Sequence, residues 1–170
     1  MDSVAKTPTE PVDYAALSAG YAAGAAAVLL AARDRGEELL HPAEIVPLGV
    51  AAFALSKLIS KEKIDSWVRE PFVEELPGGA RRPKGRRLRY AVGELLTCTR
   101  CVGAWSSLGL VGLRLHRPRE ARIVTALLGT SAVNDWLQAG FAYVCAQGNM
   151  AQQEADAPPQ EAGERRFQHS

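Results

Sequence analysis

The residues of this chain that could most directly do chemistry are two cysteines in the sequence CTRC, Cys98 and Cys101. A Cys-x-x-Cys pair at the start of a helix can act as a redox couple, because the helix N-terminus and the neighbouring Arg100 favour the thiolate. The same two thiolates can supply half of a tetrahedral zinc site. A third role is packing, since cysteine is commonly a small buried residue. The spacing leaves all three interpretations open.

The rest of the chain offers few further ligands or redox partners for this pair. The remaining cysteine is Cys145, and the histidines are His41, His116 and His169. A zinc site therefore requires the Cys98–Cys101 pair of a second subunit, and a relay of electrons lacks its second cysteine pair. We expect a packing role without a cofactor, with redox or zinc chemistry as the alternative.

Asp135 is the second residue of chemical interest, because it is the one charged residue in the apolar segment from Ile123 to Ala146. An ionisable group inside a membrane span is costly and usually has a partner, for which Arg100 and Arg114 are candidates. It could belong to a proton or ion relay, or form a polar bridge that sets helix register. We favour the bridge because no second acid shares the membrane interior. We find no catalytic motif.

Four apolar segments must position these residues. They cover residues 14–32, 43–59, 95–115 and 123–146. The first has 19 residues without a charge, and as a helix it would extend about 28 Å, close to the hydrocarbon thickness of a bilayer. Because no segment alternates as strands do, the sequence predicts an all-α fold, a small transmembrane bundle of three to four spans. The second segment is the shortest and could be interfacial.

Glycine spacing and aromatic placement suggest how such a bundle packs and where it meets the membrane surface. Gly20 and Gly24 form a GxxxG, which lets two helix backbones approach closely and could support a homo-oligomer. Trp67 lies in a short amphipathic segment and is expected to anchor it at the interface. The basic interfacial loop over residues 60–90 follows the second apolar segment.

Charge placement predicts the partners and the orientation. The cations of residues 57–90 would each contribute about 1 kcal/mol near an anionic leaflet, so the expected partner is the lipid bilayer, including anionic lipids. The segment has few aromatic residues for stacking, and no nucleic acid is expected. Because basic loops stay in the cytoplasm, both termini and the cysteine pair are predicted on the cytoplasmic side. The polar ends, residues 1–13 and 147–170, are predicted to be disordered.

Several stretches of the chain resemble a bacterial family of small membrane proteins, catalogued as domain of unknown function 1360. They are KLISKEKI, REPF, AVGELLTCTRCVGAW and NDWLQ, in that order. The resemblance covers roughly residues 46–143, and its most specific part surrounds the two cysteines and Trp105. Members of the family often have a proline and an aromatic residue between the cysteines, where this chain has Thr99 and Arg100. The resemblance implies an integral membrane protein of the bacterial cell membrane and supplies no activity.

Two hypotheses for function follow from the sequence. The first is a non-enzymatic helix bundle that acts as a scaffold or binds a partner through the GxxxG and CxxC faces. The alternative is a membrane thiol-redox or zinc-binding protein that acts through Cys98 and Cys101. A soluble helical protein is a third interpretation, because the second and third apolar segments are short for membrane spans.

Overall fold

The computed structural model describes residues 8–33, 40–63 and 66–156. These ranges are mostly helical, which confirms the helical fold class. The elements are α1 (Pro11–Arg33), α2 (Pro42–Lys61), α3 (Ser66–Arg69), β1 (Val73–Glu75), β2 (Arg81–Pro83), α4 (Leu88–Thr97), α5 (Thr99–His116) and α6 (Pro118–Asp156). The chain forms two compact units, Met1–Ala132 and Val133–Ser170, and their boundary lies inside α6.

Within the first unit, α1 packs against α5 and runs parallel to it. Gly20 faces Trp105, whose Cη2 lies 3.5 Å from where a Cβ of Gly20 would be. Eight residues further along α1, Val28 Cγ2 lies 3.5 Å from where a Cβ of Gly112 would be. Residue numbers in the two helices therefore rise together along the interface. Small residues on each side allow the two backbones to come close.

The second neighbour of α5 is α2, which runs antiparallel to it. The hydroxyl groups of Ser60 and Thr99 lie 3.3 Å apart near one end of the interface. Near the other end, Arg114 Nε donates to Glu44 Oε1 at 2.8 Å. We call the end with Ser60 and Thr99 the hairpin end, because the start of α1, the β-hairpin and α4 also lie there. The end with Glu44 and Arg114 is called the Arg114 end.

The two strands form a short antiparallel hairpin in which Val73 pairs with Pro83. Its turn contains Gly78 and Gly79, whose φ angles of 87° and 83° are left-handed and favour glycine. The hairpin packs against α4 at Gly93. A Cβ at Gly93 would lie 2.5 Å from the Phe72 carbonyl oxygen, so no larger residue fits there without a shift of the backbone.

Small residues are frequent in the interior of the first unit, and several large apolar ones are exposed. The main apolar cluster consists of Leu48, Ala51, Ala52 and Leu110. Among the described residues, the largest fully buried side chains are Arg69, Ser56 and Ser60. Large apolar side chains of α1 and α2 that are 46–71% exposed include Leu29, Ile45, Val46 and Phe53. Much of the apolar surface of these two helices therefore lies outside the core.

Two of the described helices, α1 and α2, are long and apolar enough to cross a bilayer, with mean hydropathies of 1.7 and 1.5. Buried helices of soluble proteins and signal sequences can have the same length and composition. The two helices therefore suggest membrane association without establishing how many spans the chain has.

The second unit, from Val133 onward, is described as the C-terminal part of α6. Its large apolar residues are exposed, including Leu137, Phe141 and Val144.

Several predicted boundaries differ from the structure. The predicted span 95–115 is not one helix, because the chain breaks at Cys98 between α4 and α5. Residues 147–156, predicted to be disordered, continue α6, and the helix α1 already begins at Pro11. Residues 1–7 and 157–170 lie outside the described part of the chain. The basic loop contains a β-hairpin that no strand-like alternation had indicated.

Candidate functional site

The cysteine pair lies where α4 ends and α5 begins. Cys98 is both the C-cap of α4 and the N-cap of α5, and its backbone is extended. Its N–H donates to the Glu94 carbonyl at 3.1 Å, and the Thr97 hydroxyl donates to the same carbonyl at 2.9 Å. These bonds satisfy carbonyls that the end of α4 would otherwise leave without a partner. The break therefore puts Cys98 at the N-terminus of an 18-residue helix.

The two sulfur atoms are in direct contact. The Cys101 thiol donates to Cys98 Sγ at 2.8 Å, and the Cys101 backbone N–H donates to the same sulfur at 3.4 Å. Cys98 is half-buried and Cys101 is exposed. Cys101 thus lies outside the buried core of the described residues, whereas Cys98 lies at its edge, and the packing interpretation stays a prediction. Cys145, in the second unit, is exposed and free.

The surroundings of Cys98 favour its thiolate. The hydrogen bond from the Cys101 thiol, then that from the Cys101 backbone N–H, lower the pKa of Cys98, and the positive charge of Arg100 acts in the same direction. Desolvation opposes them by a smaller amount. Thiolates are the nucleophiles of thiol–disulfide exchange. The arrangement therefore suits Cys98 to attack a disulfide and Cys101 to complete the exchange.

Polar contacts between α2 and α5 hold the cysteine pair in place. Ser60 donates to the Ser56 carbonyl at 2.6 Å, and its hydroxyl also contacts Thr99, the residue next to Cys98. One turn along, a Cβ of Gly103 would lie 3.9 Å from the Ser56 side chain, an ordinary contact distance. The last two turns of α2 thereby position the first turn of α5.

The end of α2 is itself held by a buried arginine. Arg69 is 1% exposed. It donates to the Ile59 carbonyl at 2.5 Å, to the Glu62 carbonyl at 2.8 Å and to Glu75 Oε1 at 3.1 Å. A helix C-terminus has unpaired carbonyls and a partial negative charge, both of which favour a cation. Arg69 supplies that cation and links α2 to the hairpin.

A second arginine of the basic loop has the same role. Arg81 donates to the Ser60 carbonyl and, at 2.8 Å, to the Lys61 carbonyl. Its Nε also lies 3.5 Å from Glu75. The hydrogen bond from Arg69, followed by the charges of both arginines, lowers the pKa of Glu75 despite some opposing desolvation. Arg69 and Arg81, which the sequence analysis assigned to the membrane surface, therefore cap the C-terminus of α2.

Other cations of the basic loop are also engaged within the chain. Arg87 pairs with Glu10 and with Asp13, Arg89 donates to the Pro71 carbonyl, and Lys84 donates to the Glu70 carbonyl. Arg82 and Arg86 are exposed. Several cations of the loop are therefore bound within the chain, and the contribution of the loop to lipid binding stays a prediction.

The other candidate site residues from the sequence analysis lie in different parts of the structure. Gly20 and Gly24 both face α5 of the same chain, and Leu108 lies at Gly24. Trp67 is 71% exposed on α3. Asp135 is half-buried in the second unit. One of its two candidate partners, Arg114, forms an ion pair with Glu44.

Metal ligands are sparse around the cysteine pair. Within the described ranges, no group of three or more His, Cys, Asp or Glu residues could hold a metal ion. His41 caps the start of α2, where its Nδ1 accepts from the Ala43 N–H, and His116 ends α5. His169 lies outside the described residues. A metal on Cys98 and Cys101 would need ligands from outside the described residues.

Sequence reasoning did not single out two residues that build the site, Arg69 and Glu75. It indicated close packing at Gly93, because an isolated glycine inside a helical pattern often marks a close approach of two backbones. Arg69 resembles any other basic residue of its segment, and nothing in the sequence indicates that it is buried.

A comparison with known families places these features in context. The family model described as "Protein of unknown function (DUF1360)" matches residues 47–141, from α2 into α6. No curated protein and no solved structure matches the chain. The matched region contains the cysteine pair, Arg69, Glu75 and Gly93. Because it covers more than half of the 170 residues, the chain belongs to the DUF1360 family, whose description assigns no function.

Proposed function

We propose that this chain is an integral membrane protein whose helix bundle carries a redox-active dithiol, Cys98 and Cys101, at one membrane face. The observation that carries the proposal is the 2.8 Å contact between the two sulfur atoms at the N-terminus of α5. Exposure of Cys101 makes the pair accessible to a reaction partner. A lowered pKa of Cys98 supplies the nucleophile.

The distribution of side chains in the first unit supports the membrane assignment. No residue in the apolar window of α1 is buried within the chain. Exposed apolar surface of that extent would be unfavourable in water but is solvated by lipid. Alanine, serine and glycine at the helix contacts are typical of membrane bundles, where close backbone approach replaces hydrophobic burial as the basis of association.

The proposed topology follows from the helix directions. α1, α2 and α5 cross the membrane in alternating directions, and the apolar part of α6 forms a fourth crossing. Because cytoplasmic loops are rich in Lys and Arg, the hairpin end, with the dithiol, faces the bacterial cytoplasm, as do both termini. Cys98 then lies between helices at the membrane face, and Trp67 and the exposed Arg82 and Arg86 contact headgroups.

The proposed chemistry is thiol–disulfide exchange. The Cys98 thiolate attacks a disulfide of a partner, its sulfur bonds to one partner sulfur, and the other leaves as a thiolate that takes up a proton. Cys101 then attacks Cys98 and displaces the partner as a second thiol. The partner gains two electrons and two protons, and the pair becomes a disulfide. The same exchange runs in reverse, in which the disulfide of Cys98 and Cys101 oxidises two thiols of a partner and becomes the dithiol again.

An alkylation assay tests this proposal. Membranes containing the protein are equilibrated with mixtures of reduced and oxidised glutathione, and free thiols are labelled with a large maleimide. We expect Cys145→Ser to lose two labels together at one potential. Matched variants Cys145→Ser/Cys98→Ser and Cys145→Ser/Cys101→Ser should keep their single label until much more oxidising conditions. Independent oxidation of the two thiols would contradict the proposal.

A second candidate function is the non-enzymatic scaffold, which one observation in the second unit favours. Leu137, Phe141 and Val144 are exposed at helical spacing on one face of α6. Such a face can bind a partner helix. Gly20 and Gly24 do not add to this candidate, because their face is covered by α5. Replacing Leu137 and Phe141 by Ala should abolish cross-linking to a partner if this function is correct.

Zinc is the remaining alternative at the same cysteines. Two copies of the chain could bring two Cys98–Cys101 pairs together and form a four-thiolate site. The purified protein would then contain one zinc ion per dimer, and Cys98→Ser would release it. A metal-free monomer with a reversible disulfide would instead support the redox proposal.

A further inference from the structure

An apolar groove runs along α5, and its lining includes Leu95 and Val102, which are three and four residues from Cys98 in the sequence. Its volume is about 530 Å³. The residues that line it include Leu55 and Ile59 of α2, Leu95 of α4, and Val102, Trp105 and Leu113 of α5. Ser106 contributes the only hydroxyl group among the lining residues. The groove could therefore take an apolar ligand with little hydrogen bonding.

Helical spacing connects Cys98 to this groove. Val102, Trp105 and Gly109 are separated by three and four residues, so they share one stripe of α5, and Cys98 is the N-cap four residues before Val102. From Cys98 to Leu113 the stripe extends about 22 Å along the helix axis. A ligand with a long apolar tail and a compact head would thus have its head at the sulfur atoms when the tail follows α5.

The chemistry of the dithiol limits which reaction the head group of the ligand could undergo. Oxidation of Cys98 and Cys101 breaks two S–H bonds, forms one S–S bond and releases two electrons and two protons. A quinone takes up two electrons and two protons as its two carbonyl oxygens become hydroxyl groups. A long isoprenoid tail matches the length and apolar lining of the groove. No other co-reactant is needed for the balance.

We infer that the groove binds a lipid-soluble quinone, which accepts the electrons of the Cys98–Cys101 dithiol and leaves as the quinol. The inference rests on the proposed dithiol function and adds the acceptor to it. A thiol partner reduces the disulfide by exchange, the quinone oxidises the dithiol again, and electrons pass from thiols into the membrane. A phospholipid acyl chain is the competing occupant of the groove.

Trp105 provides a test that does not depend on turnover. The full chain, with Trp67→Phe and Trp136→Phe, is placed in phospholipid nanodiscs, and a benzoquinone with a decyl tail is added without oxygen. We expect saturable quenching of Trp105 fluorescence. Because the nanodisc already supplies acyl chains in excess, saturation reports a preference for the quinone over lipid tails.

A pair of glycine variants locates the binding. Gly109 lines the groove and Gly129 on α6 does not, and a Cβ at either would have no neighbour within 4 Å. Gly109→Leu fills the groove and should weaken quenching at least tenfold, whereas Gly129→Leu should leave it unchanged. Equal effects of the two variants, or quenching that does not saturate, would overturn the inference.

Electron transfer is measured on the same sample. The reduced protein should convert one quinone per dithiol to the quinol, and Cys98→Ser/Cys101→Ser should abolish conversion while the quenching remains. Saturable quenching without conversion would mean that the quinone binds in the groove but does not accept the electrons of the dithiol, and the inference fails. If the pair cycles with glutathione but the quinone neither quenches nor is reduced, the dithiol function stands and the quinone inference alone is wrong.

Discussion

The two ends of α2 are held in different ways. At the hairpin end, Arg69 and Arg81 donate to main-chain carbonyls, and Arg69 is completely enclosed. At the Arg114 end, a partly exposed ion pair joins Glu44 to Arg114. Main-chain contacts fix the position of a helix end, whereas an ion pair between two side chains tolerates movement. We therefore expect the end beside the cysteines to be the more rigid one, which suits a place where sulfur atoms must be positioned for reaction.

Replacement of the buried Arg69 is expected to lower the stability of the protein more than any other change at the two ends of α2. Arg69→Met removes the cation and leaves the Ile59 and Glu62 carbonyls without their donor, which should cost about 3 kcal/mol. Arg82→Met, at an exposed position of the same segment, is the matched control and should change stability little. The measurement is the thermal unfolding midpoint in detergent micelles. Equal midpoints for the two variants would mean that Arg69 does not hold the helix end.

Close packing of the hairpin on α4 predicts the next largest effect. Gly93→Ala places a methyl group against the Phe72 carbonyl and Pro83, both of which are rigid, and should destabilise by about 2 kcal/mol. Gly109→Ala introduces the same group into open space in a neighbouring helix and should be neutral or stabilising. If both variants unfold at the wild-type temperature, the hairpin does not pack against α4 as described.

A double-mutant cycle measures the coupling energy of the ion pair at the Arg114 end. We expect a coupling of about 1 kcal/mol between Glu44→Gln and Arg114→Gln, because the pair has two hydrogen bonds but is partly exposed. The same cycle on Arg69 and Glu75 should give a larger coupling, since Arg69 is enclosed. A larger value at the Arg114 end would reverse the comparison between the two ends.

Acid should have the smallest effect, because protonated Glu75 loses its charge but its carboxyl group can still accept the hydrogen bond from Arg69. The pKa of Glu75 is lowered by Arg69 from an ordinary value of 4.5. The stabilisation is therefore fully present above pH 4.5 and is lost as the pH falls through the lowered value. Glu75→Gln should remove this loss, whereas Glu74→Gln, at the exposed neighbouring position, should keep it. Unfolding midpoints between pH 2.5 and 7 provide the measurement.

The helices were predictable because their signals are local. The uncharged run from Tyr14 to Ala32 has the length and composition of a spanning helix, and the glycine pair within it marks a close helix contact. The break at Cys98 was harder to predict, because apolar residues continue on both sides. The nearby threonines and the capping geometry identify it only after the fold is known.

What the sequence by itself determined is the set of apolar helical segments, the presence of small residues where helices meet, and the neighbourhood of the two cysteines. These depend on hydropathy and spacing along one helix. Only the tertiary structure decided that Gly20 and Gly24 face α5 of the same chain, that Arg69 and Arg81 cap α2, and that Arg114 pairs with Glu44. These pairings join residues that are distant in the sequence. A cation has the same local pattern whether it faces lipid headgroups or a helix end, so its role depends on which backbone carbonyls the fold brings to it.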